Sequence, residues 1–336
     1  MAISIFARYL FSGQILVKPY NIENFVIQSL LCIGVAAFMQ ISVNYANDYC
    51  DGLRGLDDQR SNRDLGDKTL CDVSWRLADA GIKPKSVLYA VCISALVSCV
   101  FGLIITVRSG IWIFILLGLV CLMGAWFYAG GSHPYGYRGW GEFSAFLFFG
   151  PVAFLGTLCA LSFGSGFPKE SITTASVPQI VFCVLLSIIP GGFSACLMMI
   201  NNLRDIESDT KHAKFTAMSI VGENIGRIIF VSVVIMFTLL QCVYVFLNIF
   251  FAKFMTIIWN VARLNKNAFR INCFLFNQGV FIVCCILLLL LTYMFIKKAY
   301  SLAYAVICGN YANAFPICVS LAMLGSLTFV LSIFAC

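Results

Sequence analysis

The feature that most constrains this chain is a series of long apolar stretches without any charged residue. Each is about 17 to 25 residues long, enough to cross a ~30 Å hydrocarbon layer as a helix. We therefore expect an all-α integral membrane protein built as a bundle of transmembrane helices. The clear stretches are Phe25–Val43, Ser86–Val107, Ile111–Ala129, Phe143–Phe163, Pro178–Ile200, Ile228–Phe251, Val280–Ile296 and Phe315–Cys336.

A further apolar stretch, Ala2–Val17, is shorter and contains Arg8. No small-residue cleavage site of the kind found in signal peptides follows it. We therefore expect it to form a true but shortened first span. The prediction is a single transmembrane domain, residues 1–336, with about nine transmembrane helices.

The composition excludes a water-soluble enzyme. Of the 336 residues, 61% are hydrophobic and 11% are charged, whereas globular domains carry about 25% charged residues. The 16 cysteines lie mostly inside apolar runs, for example Cys284 and Cys285, and no pair of C-x-x-C units suggests a metal site. We interpret them as small buried hydrophobic residues.

The basic residues indicate an orientation in the membrane. The net charge is +7, but the Lys and Arg residues lie in short loops between spans, so we expect no nucleic-acid partner. If the loop after the second span is cytoplasmic, that side holds twice as many Lys and Arg residues as the other. The basic loop Lys253–Arg270 then lies on the outer side. The loops at 44–85, 128–142 and 201–227 lie on the cytoplasmic side.

A first acidic cluster follows the second span. Asn44, Asp48 and Asp51 are spaced by four and three residues, so on a helix their side chains share one face. Two glycines then end the helix and allow further acidic residues to fold back toward the same place. These residues are Gly52, Gly55, Asp57 and Asp58.

A second acidic cluster lies at the end of the sixth span. Asn201, Asp205 and Asp209 recur every four residues and so share one face, at the same membrane depth as the first cluster. Carboxylates this close together repel one another and require a compensating cation. Hard oxygen ligands in two facing groups suit Mg²⁺, which also binds substrate phosphates. The expected metal ligands and catalytic residues are Asp48, Asp51, Asp205 and Asp209.

Cationic side chains accompany both clusters. Arginine and lysine are the residues that bind a diphosphate, and ionisable residues at membrane depth are functional by default. Together the acidic and basic residues predict a site for a phosphorylated, membrane-associated substrate. The basic residues are Arg54, Arg60, Arg138, Arg204, Lys211 and Lys214.

Three motifs together resemble one known family. They are N-D-Y-C-D-G-L-R-G-L-D-D at Asn47–Asp58, Y-A-G-G-S-H-P-Y-G-Y-R-G-W-G-E at Tyr128–Glu142 and N-N-L-R-D-I-E-S-D at Asn201–Asp209. They are similar to motifs of the UbiA superfamily of intramembrane aromatic prenyltransferases, and more narrowly of its 1,4-dihydroxy-2-naphthoate prenyltransferase branch. The resemblance extends from about Gln40 to Arg227.

The resemblance implies transfer of a polyprenyl group from its diphosphate to 1,4-dihydroxy-2-naphthoate, with decarboxylation, to give demethylmenaquinone. It implies a bacterial plasma-membrane enzyme whose cytoplasmic loops bind the diphosphate through Mg²⁺. The expected substrate-binding residues are Asn44, Asn47, Arg54, Asp57, Arg60, Tyr135, Tyr137, Arg138, Asn201, Asn202, Arg204, Lys211 and Lys214.

Alternatives remain at the level of the sequence. Tyr135, Tyr137 and Trp140 suit an interfacial aromatic belt as well as the stabilisation of an allylic cation. The acceptor could be 4-hydroxybenzoate or homogentisate. Asp51-Gly52 also begins the CDP-alcohol phosphotransferase motif, although the Ala-Arg pair that should follow is missing. A transporter would more often carry repeats and broken helices around a midplane site.

Overall fold

A computed structural model of the protein describes residues 22–53, 84–164, 177–263 and 269–334. The described residues are almost entirely helical and contain no strand beyond one isolated bridge. A 3-10 turn at Tyr135–Tyr137 precedes the helix Gly141–Leu147, and a π turn at Phe148–Val152 joins that helix to the next one, Ala153–Gly164. The helices are α1 (Ile22–Leu53), α2 (Pro84–Ser109), α3 (Ile113–Ala129), α4 (Gly141–Leu147), α5 (Ala153–Gly164), α6 (Val177–Arg204), α7 (Ile206–Lys211), α8 (Ala217–Val221), α9 (Glu223–Arg263), α10 (Phe269–Ile307) and α11 (Tyr311–Phe334).

The expected membrane protein is confirmed. Within the described residues, 7 segments are long and apolar enough to cross a membrane, namely α1, α2, the α4–α5 unit, α6, α9, α10 and α11. The shorter apolar helix α3 corresponds to the remaining clear stretch. The expected first span, Ala2–Val17, lies outside the described residues, so the total of nine stays a prediction.

Apolar side chains cover both the interior and the outer surface of the bundle. Phe230, Phe295 and Leu302 are fully buried in a core formed by α6, α9, α10 and α11. Leu30 and Leu289, in contrast, are mostly exposed on the outside. Such an exposed apolar surface suits contact with lipid chains rather than water.

Three segments that are distant in sequence meet at one end of the bundle. The last turn of α1, the loop between α3 and α4, and the loop between α7 and α8 contact one another there. This is the expected consequence of spans that alternate in direction, because every second connection then lies on the same side. The turn between α10 and α11 lies at this end as well, where Arg227 of α9 donates to the Tyr311 hydroxyl at 2.7 Å.

The π turn packs on α6 through a contact between two glycine backbones. The pair Gly191-Gly192 predicts close helix packing, and the structure confirms it. A Cβ added to Gly150 would lie 2.6 Å from the Gly191 Cα, and one added to Gly191 would lie 2.6 Å from the Phe146 carbonyl oxygen. Both distances are to backbone atoms, which no side-chain rotation relieves.

Substitution of these glycines should therefore destabilise the bundle. We expect Gly191→Ala and Gly150→Ala each to cost about 1–3 kcal/mol, because overpacking forces two backbones apart. Thermal unfolding in one detergent would measure the loss. The matched control is Gly118→Ala in α3, where a Cβ meets nothing within 4 Å. Equal melting temperatures for Gly191→Ala and the control would contradict the close contact.

Candidate active site

Asp51 lies in the last turn of α1 and binds side chains from three segments of the chain. It is 2% exposed. Its Oδ1 accepts a hydrogen bond from the Tyr137 hydroxyl, while Oδ2 accepts from the Asn47 amide at 3.2 Å and from Lys214 Nζ at 3.3 Å. Asn47 reaches it because residues four apart face each other on a helix.

The loop between α3 and α4 brings Tyr137 to Asp51. This loop folds tightly against the end of α3, since a Cβ on Gly136 would lie 2.6 Å from the Tyr128 carbonyl oxygen. The Tyr135 hydroxyl donates to the Gly124 carbonyl at 2.7 Å, which fixes the loop on α3. Burial raises the pKa of the Tyr135 phenol, so the phenol keeps the proton that this bond requires.

A second loop, between α7 and α8, positions Lys214. Ala213 has a φ of 55°, the left-handed conformation that often ends a helix. The turn directs the Lys214 N–H back to the Asp209 carbonyl at 2.8 Å, and the next residue, Phe215, donates its N–H to the Tyr137 carbonyl at 3.1 Å. This last bond joins the two loops and places Lys214 Nζ over the Tyr137 ring, 5.0 Å from its centroid.

A single ammonium group thus lies between two buried carboxylates. Lys214 Nζ is 3.3 Å from Asp51 Oδ2 and 4.0 Å from Asp209 Oδ1. Lys214 and Asp209 are 6% and 1% exposed. Two carboxylates and one ammonium group give the cluster a formal charge of −1. Little water reaches the cluster, so the charges interact strongly.

A second buried polar pair lies beside this cluster. The Asn202 amide, near the end of α6, donates to Glu142 Oε1 of α4 at 2.8 Å, and both residues are buried. Tyr128 of α3 lies between this pair and the charged cluster. Its hydroxyl donates to Met198 Sδ at 3.3 Å and lies 3.3 Å from a Cβ placed on Gly141, the residue before Glu142. Its ring packs with Tyr137, which donates to Asp51.

An apolar cavity begins at this polar region. Its volume is about 850 Å³, and it extends between α1, α2, α3 and the α4–α5 unit. Tyr128, Tyr135 and Met198 line the end that adjoins the charged cluster. The rest of the lining is mostly aliphatic and aromatic, which suits a long hydrocarbon chain.

The opposite end of the cavity is bounded by a hydrogen-bonded polar group. Beyond Cys32 and Ala160, which line the cavity, the buried Gln28 side chain donates to the Ala160 carbonyl at 3.2 Å. Arg108 donates to Gln28 Oε1 at 3.2 Å and to Asn24 Oδ1 at 3.0 Å. Beyond the two ends of the cavity therefore lie different polar groups, the charged cluster on one side and hydrogen-bonded amides with a guanidinium on the other.

Other expected site residues have different surroundings. Asp205 forms a bidentate pair with the adjacent Arg204, with N–O distances of 3.0 and 3.1 Å. Asn44 is exposed and accepts from the Gln40 amide, so it does not share the burial of Asp51. Asp48 and Asn201 are half-buried on the helices that carry the two clusters.

The remaining cations lie toward the surface or outside the described residues. Lys211 is exposed and pairs with Glu207 at 2.9 Å. Arg138 is exposed and lies 2.8 Å from the His133 ring nitrogen Nδ1. Arg54, Asp57 and Arg60, which were expected to bind substrate, lie outside the described residues, so their assignment stays a prediction.

The carboxylate oxygens of the site are the type of ligand that Mg²⁺ prefers. Two of the four expected ligands, Asp51 and Asp209, meet at Lys214. In the described part of the chain, no three His, Cys, Asp or Glu side chains form a group that could hold a metal by themselves. Mg²⁺ commonly binds through only one or two carboxylates together with substrate phosphates. Asp51 and Asp209 supply the number of carboxylates that such a site uses, and a magnesium site here stays a prediction.

Two residues of the polar region were not among the expected site residues. Glu142 stands at the start of an otherwise uncharged span, and an isolated carboxylate in such a place is a signal for function. Tyr128 gives no such signal, because a tyrosine at the end of a span is typical of the interfacial belt. Only the packing of α3 against the two loops shows its position.

The buried ion cluster should be essential for stability. We expect Lys214→Met to cost about 3–5 kcal/mol, because it leaves two buried carboxylates without their shared cation. Thermal unfolding would measure this loss. Lys211→Met is the matched control, since its ion pair with Glu207 is exposed and should contribute less than about 1 kcal/mol. Similar melting temperatures for the two variants would contradict the bridging role.

Comparisons with known proteins identify the family of this chain. The sequence model of the UbiA prenyltransferase family matches residues 9–276. Two curated relatives, from Mycobacterium leprae and Mycobacterium tuberculosis, are named 1,4-dihydroxy-2-naphthoate octaprenyltransferase. The first is 40% identical over 196 residues, 58% of this chain and 58% of its own length. The second is 37% identical over 203 residues, 60% of this chain and 61% of its own length. The matched segment thus spans less than two thirds of either relative.

A solved structure shares the fold. The apo structure of a UbiA homolog from Aeropyrum pernix K1 superposes with a TM-score of 0.56 at 11% sequence identity, over 98% of this chain and 95% of that chain. At this identity the likeness concerns the fold alone. The family match covers most of the chain, including the three motifs, and we conclude that this chain belongs to the UbiA prenyltransferase family.

Proposed function

We propose that this protein transfers a polyprenyl group from polyprenyl diphosphate to 1,4-dihydroxy-2-naphthoate with loss of CO₂, giving demethylmenaquinone for menaquinone biosynthesis. The observation that carries the proposal is the buried cluster of Asp51, Lys214 and Asp209, which Tyr137 and Tyr128 connect to a long apolar cavity. A polyprenyl diphosphate has the same division into a charged head and a hydrocarbon tail. The names of the mycobacterial relatives support the naphthoate as acceptor.

The charged head would bind at the cluster. Lys214 supplies a cation that is already desolvated, and Arg204 at the end of α6 and Arg138 in the loop between α3 and α4 are further cations. Asp51 and Asp209, together with Asp48, would hold Mg²⁺ against the diphosphate oxygens, with Asp205 as the fourth expected ligand. When bound, Mg²⁺ neutralises negative charge on the leaving diphosphate.

The protein side chains would protect the reactive carbon. Departure of the diphosphate leaves an allylic cation, which water would capture if it had access. The aliphatic lining of the cavity excludes water. The rings of Tyr128, Tyr135 and Tyr137 lie at the junction of cavity and cluster, where an electron-rich face stabilises positive charge.

The site would face the cytoplasm of a bacterial cell. The described loops of the site lie at one end of the bundle, which is the end with the excess of Lys and Arg residues. The positive-inside rule assigns that end to the cytoplasm. Water-soluble substrates and Mg²⁺ would then reach the diphosphate site directly, while the prenyl tail would enter from the lipid bilayer.

Purified protein in lipid should prenylate the naphthoate with a Mg²⁺ requirement. We expect product with 1,4-dihydroxy-2-naphthoate but little with 4-hydroxybenzoate or homogentisate, measured by chromatography of the extracted quinone. EDTA should abolish activity and added Mg²⁺ should restore it. Asp51→Asn and Asp209→Asn should each reduce kcat about 10²–10³-fold, since each removes charge that acts on the leaving group.

Glu23→Gln is the matched control for these variants, because Glu23 is an exposed carboxylate at the other end of α1. Unchanged activity of Asp51→Asn, or preference for another phenolic acceptor, would contradict the assignment of the site or of the acceptor respectively.

The cavity should set how a long prenyl donor binds. Gly156 of α5 lines it, and a Cβ there meets only Leu117 Cδ2 at 3.9 Å, so a small side chain fits and a larger one extends into the cavity. We expect Gly156→Leu to raise the KM of an octaprenyl donor more than that of a geranyl donor. Gly156→Ala is the control. Equal effects on both donors would show that the tail does not occupy this cavity.

A further inference from the structure

Glu142 is a buried carboxylate that the proposed prenyl transfer does not yet use. It is 9% exposed, its Oε1 accepts from Asn202, and its Oε2 is buried with no hydrogen-bond partner among the described residues. A buried carboxylate oxygen without a donor is costly. Such an exception in a folded protein indicates a function.

The position of Glu142 relates it to the cavity. Ala145 lies one turn further along α4 and lines the cavity, and Met198 lies one turn before Asn202 on α6 and also lines it. The pair of Glu142 and Asn202 is therefore one helical turn beyond the polar end of the cavity. Tyr128 lines this end of the cavity, and its hydroxyl lies 3.3 Å from Met198 Sδ and 3.3 Å from a Cβ placed on Gly141, the residue before Glu142.

The acceptor must bind near the polar end of the cavity. In the proposed reaction the diphosphate binds at Asp51 and Asp209 and the tail fills the cavity, so the reactive carbon of the donor lies where the two meet. The attacking ring has to approach that same junction. Tyr128 lines the cavity, packs with Tyr137 of the charged cluster, and has its hydroxyl beside Gly141, the residue before Glu142. Glu142 is therefore near the junction on the side of α4 and α6.

We propose that Glu142 binds the aromatic acceptor by accepting a hydrogen bond from one of its ring hydroxyl groups at Oε2. The inference rests on the proposed function and adds to it an acceptor-binding residue. Asn202 is a positioning residue, because its amide holds Oε1 and leaves Oε2 without a hydrogen-bond donor among the described residues.

The chemistry of the acceptor matches this role. 1,4-Dihydroxy-2-naphthoate offers two hydroxyl donors and one carboxylate. A protein carboxylate attracts the 4-hydroxyl, which lies away from the acceptor carboxylate, and repels that carboxylate. Glu142 would therefore orient the ring. A hydrogen bond to an ionised oxygen is stronger than a neutral one. It also draws the hydroxyl proton away from its oxygen and so increases the electron density of the ring carbons that attack the donor.

Steady-state kinetics of Glu142→Gln would test the assignment. The amide has the same shape but no negative charge, so we expect kcat/KM for the acceptor to fall about 10–100-fold while the KM of the polyprenyl donor stays unchanged. Glu23→Gln is again the control for a carboxylate-to-amide change. A purely structural role would lower the amount of folded enzyme, or would alter the kinetics of both substrates together.

Acceptor analogues make the test more specific. Replacement of the bound hydroxyl by a methoxy group removes the donor, so one of the two monomethyl ethers should be a poor substrate for the wild-type enzyme. Glu142→Gln should then cause little further loss with that ether. If Glu142→Gln lowers kcat/KM by the same factor with each of the two ethers as with the unmodified acceptor, the proposal is overturned.

The remaining outcomes separate this inference from the proposed function. If the wild-type enzyme prenylates a different phenol, the proposed acceptor is wrong, and the comparison of Glu142→Gln with wild type is made on that phenol. If Glu142→Gln raises the Mg²⁺ requirement with an unchanged acceptor KM, Glu142 serves the metal and the inference is overturned. If Glu142→Gln does not fold, Glu142→Asp is the second variant, because it shortens the side chain but keeps its charge. Glu142→Asp should raise the KM of the acceptor and leave the KM of the donor unchanged. An unchanged KM of the acceptor would overturn the proposal.

Discussion

The ammonium group of Lys214 holds together parts of the chain that are far apart in sequence. It contacts the carboxylate of Asp51 on α1 and faces Asp209 on α7, and it lies over the ring of Tyr137 from the loop after α3. Two ionised carboxylates buried close together repel one another, and the ammonium group between them offsets this repulsion. The end of α1 and both loops must therefore pack in one arrangement, and the polar region with its neighbouring cavity follows from it.

The same interaction explains how a mostly apolar protein can bind a charged headgroup. The cluster is charged and buried before any substrate arrives, so a diphosphate would enter a site whose dipoles and charges are already oriented. Because an apolar cavity of about 850 Å³ begins directly beside the cluster, an amphiphilic molecule can place its head and its tail in suitable surroundings at once. The contact between Gly150 and Gly191 brings α4, α5 and α6 close enough together for Glu142 and Asn202 to meet.

Much of the fold can be predicted from the sequence, because lipid imposes a simple rule of length and apolarity on each span. All eight clear apolar stretches correspond to helices of the structure. The two acidic clusters are also evident, since charge is rare elsewhere in the chain. Burial is harder to predict than the face of a helix. Asn44 lies two turns before Asp51 on the same continuous helix but is exposed, because only the last turn of α1 packs against the two loops. Asp205 pairs with Arg204, whereas Asp209 lies near Lys214.

The sequence by itself determined the class of protein, the helices and the pair of acidic motifs, because these depend on local composition and spacing. Only the tertiary structure decided which charges meet. It selected Lys214 from several nearby cations as the partner of Asp51, left Lys211 at the surface, and brought Glu142 to Asn202. Such contacts depend on the left-handed turn at Ala213 and on close helix packing. Spacing along the chain does not encode the distance between elements that are more than a hundred residues apart.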